Sequence, residues 1–213
     1  MRDTRASLLS EAEFLVRGRG YSGFSYADLA EAVGIRKASI HHHFRTKEAL
    51  AEALIEAYDA RYDAALDDIL GRTGDGVARI EAYGRLYLGG VEQGLGCLCA
   101  ALAVELETLP EGLRRRIAAF FNKHIAWLAR VLAEGQADGS VRAGLDPQAH
   151  ARMAVATLEG ALLLERFLAG PEGFGRALAA LSEGLRPIPS GGPDRQGAAL
   201  QRDSLSRAPV DTI

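Results

Sequence analysis

Three observations predict an all-α fold of about nine helices for this sequence. Its 213 residues are rich in alanine, leucine, glutamate and arginine, which are favourable in helices. Apolar residues recur every three or four positions along most of the chain, as the buried face of a helix requires. Glycine-containing turns separate these periodic segments, and the prolines lie mostly towards the end.

The first three predicted helices are short and closely spaced. The first spans residues 4–17, and glycines at its end stop it. Ser25 is a good N-cap for the second, because its hydroxyl can accept from the amide of Asp28 while the carboxylate reaches back as a capping box. Gly34 lies where the chain must reverse, since glycine adopts positive φ without steric cost. A third helix is predicted over residues 36–44.

The third helix has an apolar inner side and a polar outer side. Ile40 and Phe44 lie four residues apart, so they share the inner face. Arg36, Lys37 and Ser39 are left to cover the outer surface, together with three consecutive histidines. Two short helices joined by a glycine turn, with a basic outer face on the second, are typical of a helix-turn-helix that enters the major groove of DNA.

The run LAEAVGIRKASIHHHFRTKEAL resembles the DNA-binding signature of the TetR family of transcriptional regulators, and the similarity extends from about Thr4 to Ala57. The pair His41 and His42 departs from the two tyrosines often found there, although imidazole can also contact a phosphate. A solvated surface is the other interpretation of the three histidines. Successive helical side chains point about 100° apart, so they cannot converge on one metal ion.

The candidate DNA-binding residues fall into two groups. Those that would contact base edges or nearby phosphates are Arg36, Lys37, Ser39 and His41. Those that would hold the DNA backbone are Ser25, Tyr26, His42, His43, Thr46 and Lys47.

The rest of the chain is predicted to form a helical body and a tail. Thr46 caps a fourth helix that continues to about Leu70, long enough to leave the head and enter the body. Asp146 followed by proline is a clear helix start. Five further helices are predicted over about residues 75–90, 97–107, 110–135, 147–168 and 172–184.

These elements indicate a DNA-binding domain over 1–46, an effector-binding and dimerisation domain over 47–185, and a tail over 186–213. The tail is rich in proline, glycine, serine and aspartate, a composition typical of flexible segments. Residues 1–50 hold eight basic and six acidic side chains, net +2, and the remainder holds 17 and 22, net −5. A mildly basic head on an acidic body agrees with phosphate contacts by the head alone.

The predicted eighth helix is apolar on more than one side, which suggests a homodimer. One side can serve the core and the other a partner, with the ninth helix completing a four-helix bundle across a two-fold axis. A central position within one subunit is the alternative. The residues concerned are Ala154, Val155, Leu158, Ala161, Leu162 and Leu164 to Leu168 in the eighth helix, and Phe174, Leu178, Leu181 and Leu185 in the ninth.

The resemblance also implies a small-molecule effector that acts through the body, and the apolar candidates favour an apolar or aromatic compound. Most of the candidates are equally compatible with an ordinary core. They are Tyr83, Tyr87, Cys97, Leu102, Glu105, Phe120, Phe121, His124, Trp127 and Glu159.

Cys97 begins the predicted sixth helix, a position that lowers a thiol pKa. The segment GCLCAALAVELETLP also resembles the corresponding segment of TetR-type repressors that sense electrophiles through cysteine, so a thiol-reactive effector is a further expectation. The alternative is that Cys97 and Cys99 are small core residues. Two cysteines alone do not make a structural zinc site.

Other function classes find little support. The sequence has no nucleophile elbow, phosphate-binding loop, H-E-x-x-H motif or dinucleotide fingerprint. It also has no run of 18 apolar residues and no apolar signal core. We therefore expect a cytoplasmic, non-enzymatic regulator without metal or cofactor, most plausibly a repressor that binds a palindromic operator. The alternatives are a TetR-like activator and, with least support, a helical metal-dependent enzyme.

Overall fold

The computed structural model describes residues 3–188, and these residues form ten α-helices with no β-strand among them. The all-α prediction is confirmed. Most of the predicted tail, 189–213, lies outside the described residues. The helices are α1 (Thr4–Arg19), α2 (Tyr26–Val33), α3 (Lys37–His43), α4 (Lys47–Arg72), α5 (Gly76–Arg85), α6 (Leu88–Glu92), α7 (Leu98–Ala103), α8 (Glu111–Asp138), α9 (Pro147–Glu165) and α10 (Gly170–Leu185).

Helices α1 to α3 pack into a small head around a shared apolar core. Leu8, Leu29 and Ile40 are fully buried, one from each helix. Phe14, which could have joined this core or lain at its rim, is more than half exposed. Helix α4 starts at Thr46, whose hydroxyl accepts from the amide of Ala49, and its 26 residues lead from the head into the body.

The predicted fifth helix is two helices in the structure. The amides of Leu86 and Tyr87 bond to carbonyls three residues back, so the helix tightens and turns after Arg85. The pair Gly89–Gly90 follows and has low helix propensity. Both α5 and α6 contact α10.

The body is a bundle in which α8, α9, α10 and α5 pack on one another. The ninth predicted helix corresponds to α10 and was expected to pair with the eighth in a bundle across a two-fold axis. Its four apolar residues are buried within their own subunit, with Phe174 fully enclosed. Leu178 packs on Gly84 of α5 so closely that a Cβ atom at that glycine would overlap Leu178 Cδ1. The four residues are Phe174, Leu178, Leu181 and Leu185.

Helix α9 is buried on one side and apolar on its exposed side. Ala154, Val155, Leu158, Ala161 and Leu162 face the core. Met153, Leu163, Leu164, Phe167 and Leu168 at its outer side and C-terminal end are about half exposed or more. Across the described residues, none of the helices has the length and apolar character that a membrane crossing needs.

Candidate DNA-binding face and junction pocket

Local signals fix the position of α3. The Ser25 amide donates to Asp28 Oδ2 at 2.6 Å, and the Ser25 hydroxyl accepts from the amide of Asp28 at 3.3 Å, so the predicted capping box is confirmed. Gly34 has φ of 75°, the left-handed conformation that the turn requires. Ile40 and Phe44 are buried and anchor α3 to the head. The remaining side chains of α3 therefore point away from the head.

The outer face of α3 is exposed and rich in donors. Arg36, Lys37 and Ser39 lie in solvent at the start of the helix, followed by the three histidines, which are also exposed. His41 is partly held by the head, because its Nδ1 lies 3.3 Å from the Arg45 carbonyl and its ring meets Tyr26 edge-on at 5.0 Å. This surface carries no carboxylate in α3, so it is suited to a phosphate backbone and to base edges.

Tyr26 was predicted to contact the DNA backbone, and the structure contradicts this. Its ring is buried, and its hydroxyl lies 3.1 Å from the Phe44 carbonyl and 2.7 Å from that of Thr46. Burial raises the pKa of Tyr26 to about 12, so the hydroxyl remains a donor. Tyr26 therefore braces the turn between α3 and α4 rather than facing DNA.

Lys47 was also predicted to reach a phosphate, but its ammonium is turned towards the protein. It donates to the Phe24 carbonyl and lies 4.1 Å and 5.0 Å from the ring centres of Phe24 and Tyr21. Burial lowers the pKa of Lys47. A phosphate contact by Lys47 would first have to break these contacts, whereas the hydroxyls of Ser25 and Thr46 act as exposed helix caps.

A hollow of about 480 Å³ lies where the head meets the body. We call it the junction pocket; α1, α9 and the segment from Gly96 to Glu105 that contains α7 line it. Its wall is mainly apolar, with three arginines and two glutamates among the lining residues. They are Arg17, Arg19, Gly20, Gly96, Cys97, Ala100, Ala101, Val104, Glu105, Glu159, Gly160, Leu162, Leu163 and Arg166.

Three of the ten sequence candidates line this pocket, namely Cys97, Glu105 and Glu159. The other seven do not: Tyr83, Tyr87, Leu102, Phe120, Phe121, His124 and Trp127. All of these except the half-buried Phe121 are core residues. Arg17 and Arg166 were not predicted to line a pocket; their only local signal is an apolar stretch shortly before each arginine, Leu15–Val16 and Leu162–Leu164.

A chain of polar groups runs from the junction pocket into the body. Glu159 Oε1 accepts from the Tyr87 hydroxyl at 3.4 Å, the Tyr87 and Tyr83 hydroxyls lie 3.3 Å apart, and Tyr83 lies 3.0 Å from His124 Nδ1. Burial raises the pKa of Glu159 to about 7 and lowers that of His124 to about 4. Between about pH 4 and pH 7 both ends of the chain are therefore mostly neutral, and His124 Nε2 has no hydrogen-bond partner within residues 3–188.

Cys97 is at the N-terminus of α7, as predicted, but its thiol is not activated. The residue is buried, and burial together with the nearby Glu159 raises the pKa of the Cys97 thiol well above its usual range. The predicted lowering of this pKa is wrong, because the loss of hydration outweighs the helix N-terminus. Cys99 is also buried and free.

The pocket-lining segment touches the head directly. The Glu105 carboxylate accepts from the Ser22 amide, with oxygen distances of 3.0 and 3.2 Å. Arg17 Nε donates to the Gly96 carbonyl at 2.7 Å. These bonds join the Gly96–Glu105 segment to α1 and to the α1–α2 connection, in addition to the covalent path through α4.

Two family profiles match the chain, one over the head and the start of α4 and the other over the body. That described as "Bacterial regulatory proteins, tetR family" matches residues 8–54, and "Tetracyclin repressor-like, C-terminal domain" matches residues 76–181. The crystal structure of a TetR-family transcriptional regulator from Agrobacterium tumefaciens superposes with a TM-score of 0.82 and 32% identity, covering 86% of this chain and 97% of that one. The protein belongs to the TetR family. TetR-family proteins are non-enzymatic, DNA-binding transcriptional regulators.

Two other TetR-family relatives are similar along most of their length. The Escherichia coli protein NemR, solved in its reduced form, has 30% identity and a TM-score of 0.75, over 86% of this chain and 97% of that one. The HTH-type transcriptional repressor DhaR of Mycobacterium sp. (strain GP1) is 26% identical over 86% of this chain and 92% of its own.

Proposed function

We propose that this TetR-family protein is a homodimeric repressor that binds a palindromic operator and is released by a small-molecule effector. The observation that carries the proposal is the exposed, donor-rich outer face of α3 on a buried helix-turn-helix. Arg36, Lys37 and Ser39 would read base edges, and the histidines would contact the flanking backbone. The repressor role is favoured over an activator because the relative DhaR is named a repressor.

The dimer is proposed to form through the exposed side of α9. Val104, Phe167 and Leu168 are 83%, 82% and 74% exposed, and Leu163 and Leu164 lie beside them. A monomer seldom leaves so many large apolar side chains together in water, because each loses favourable burial. Since the apolar residues of α10 face their own core, a second copy would meet α10 through its exposed small residues, such as Gly175 and Ala179.

The effector is proposed to act through the contacts between α7 and α1. The bonds of Glu105 to Ser22 and of Arg17 to Gly96 connect the wall of the junction pocket to the head. A compound that alters this wall would change the angle of the head and hence the separation of two α3 helices. Couplings of this kind are typically about 1–3 kcal/mol. The buried Cys97 argues against a freely reactive thiol as the primary sensor.

Selection of DNA fragments by the purified protein tests the proposed function. We expect the recovered sequences to share a palindrome whose half-sites lie one helical turn apart, because a two-fold dimer places its α3 helices in successive major grooves. A motif without two-fold symmetry, or no enriched motif, would contradict a homodimeric operator-binding protein.

Substitution of Lys37 by alanine should relax sequence preference. The side chain is exposed at the start of α3, and loss of a base contact typically costs about 1–3 kcal/mol at the affected position. We expect operator affinity to fall at least about tenfold. The variant should also distinguish less between the operator and a copy altered symmetrically at one base pair in each half-site. The ratio of the two affinities is measured by fluorescence anisotropy at one fixed salt concentration.

Lys47→Ala is the matched comparison for Lys37→Ala. Each removes one ammonium from the head, but that of Lys47 is bound to Phe24 and Tyr21 inside it. Its loss should lower the free energy of unfolding and leave base preference unchanged. If both variants relaxed the preference equally, the assignment of Lys37 to base recognition would be wrong.

A further inference from the structure

The junction pocket is positioned to sense a ligand because it belongs to both parts of the molecule. Arg17, Arg19 and Gly20 come from the end of α1, whereas Leu162 belongs to α9 and Arg166 follows its last residue. Its volume of about 480 Å³ is within the range of small-molecule sites. A compound bound there would contact the head and the body at the same time.

The charges around the pocket favour an anion. Three guanidinium groups line it, and arginine stays protonated at every physiological pH. Glu105, one of the two lining carboxylates, is turned towards the head, where its two oxygens share the Ser22 N–H. The other, Glu159, is buried beside Cys97 and the Tyr87 hydroxyl, and its raised pKa of about 7 reduces its negative charge near neutral pH. The remaining charge in the pocket is positive.

Arg166 is the arginine best placed to receive the anion. Arg17 is occupied by the Gly96 carbonyl at 2.7 Å and by Glu13 at 3.2 Å. The guanidinium of Arg166 makes no hydrogen bond or ion pair with residues 3–188, although the side chain is half-buried. It lies above Gly96, where an added Cβ atom would be 3.7 Å from Arg166 Nη1. A half-buried guanidinium without a partner is a strong donor for a carboxylate.

The rest of the pocket wall fits an apolar chain. Ala100, Ala101 and Leu162 line the pocket with apolar groups, and the exposed Val104 and Leu163 line it where it borders the proposed dimer surface. We propose that the junction pocket binds an amphipathic monocarboxylate as effector, with the carboxylate on Arg166 and the apolar chain along α7 and α9. Its regulatory consequence rests on the proposed function, but its binding chemistry does not.

The bound carboxylate would disturb the contact between head and body. It would lie beside Gly96, whose carbonyl accepts from Arg17 of α1. An anion at this point competes with that carbonyl for the Arg17 guanidinium, because a carboxylate is the stronger acceptor. Loss of the bond would free α1 from the α7 segment, so ligand binding is expected to weaken operator binding.

Three eight-carbon compounds with different head groups test the ligand class: octanoate, octanol and octylamine. Binding to the full-length protein is measured by calorimetry without DNA at pH 7. We expect octanoate to bind at least tenfold more tightly than octanol, and octylamine to bind no better than octanol. Octylamine binding as tight as or tighter than octanoate binding, or no heat of binding with any of the three compounds, would overturn the proposal.

Arg166→Gln and Arg152→Gln form a matched pair of variants. Both remove one guanidinium, Arg152 from α9 and Arg166 from the residue that follows α9, but exposed Arg152 does not line the pocket. Arg166→Gln should weaken octanoate binding at least about tenfold and leave octanol binding unchanged, since a hydrogen bond to a charged group is lost. Arg152→Gln should change neither. The same loss in both variants would mean that overall charge, and not this site, attracts the ligand.

Operator binding is measured separately, so that the two proposals can fail independently. Saturating octanoate should lower the operator affinity of the wild-type protein at least about fivefold, and that of Arg166→Gln much less. Octanoate binding without an effect on operator affinity would overturn the effector role. If the protein binds its operator but does not bind octanoate, the proposed ligand class is wrong and the repressor proposal stands. If it binds octanoate but no DNA, the repressor proposal is wrong and the proposed ligand class stands.

Discussion

Replacement of Leu164 and Phe167 by aspartate is expected to produce a monomer whose operator affinity is at least a hundredfold lower. Both side chains are mostly exposed on the outer side of α9, where the second copy is proposed to bind. Burial of a large apolar side chain contributes roughly 1.5–3 kcal/mol, and the substitutions also place two carboxylates opposite two others across the two-fold axis. A monomer carries one α3 helix and can contact only one half-site at a time.

The control for this variant is Ala126→Asp, which adds a carboxylate at an exposed position of α8 outside the proposed interface. Sedimentation velocity gives the oligomeric state, and fluorescence anisotropy on the selected palindrome gives the affinity. The double variant should remain folded by circular dichroism, because neither side chain belongs to the core. A double variant that stays dimeric and binds with full affinity would exclude this side of α9 as the interface.

The parts of the structure that sequence reasoning predicted well are governed by local interactions. The capping box of Ser25 and Asp28, the left-handed Gly34 and the Asp146 N-cap each involve groups within four residues of one another. Apolar periodicity likewise places Ile40 inside without any knowledge of distant segments. The helix-turn-helix could therefore be predicted from about 25 consecutive letters.

The parts that could not be predicted depend on contacts between distant segments. Arg17 and Gly96 are 79 residues apart, so nothing in either neighbourhood indicates that they share the wall of one pocket. The apolar residues of α10 could be recognised from the sequence, but the close approach of Leu178 to Gly84 of α5 could not. The pKa of Cys97 could not be predicted for the same reason. Its position at the start of a helix can be read from nearby residues, but the burial that raises its pKa depends on distant segments.

The substitutions Glu159→Gln and His124→Gln should change the pH dependence of stability in opposite directions. Burial raises the pKa of Glu159 from 4.5 to about 7 and lowers that of His124 from 6.5 to about 4. Near pH 5.5 the folded protein therefore holds both groups neutral, whereas the unfolded chain has a carboxylate and an imidazolium. The unfolded and folded states bind the same number of protons at these two groups, so the two groups' effects on the pH dependence of stability cancel in the wild type.

Removal of either group exposes the contribution of the other. In Glu159→Gln, the unfolded state takes up one extra proton at His124 as the pH falls from 6.5 towards 4, so stability falls with acidification by up to about 1.4 kcal/mol per pH unit. In His124→Gln, the unfolded state releases a proton at position 159 as the pH rises from 4.5 towards 7, so stability falls in the alkaline direction by a similar amount. The difference in free energy of unfolding between each variant and the wild type should therefore change by roughly 2–3 kcal/mol between pH 4.5 and pH 6.5.

Urea unfolding at pH 4.5, 5.5 and 6.5 measures this effect, with the protomer concentration fixed because a dimer gains stability by mass action. Differences from the wild type are compared, since the contributions of the other titratable groups are then common to both proteins. Lys123, Asp59 and Asp63 beside His124 are retained in every variant, and they act on its pKa in opposite senses. Parallel curves for all three proteins would mean that water reaches the polar chain from Glu159 to His124, and that neither end is held neutral by the fold.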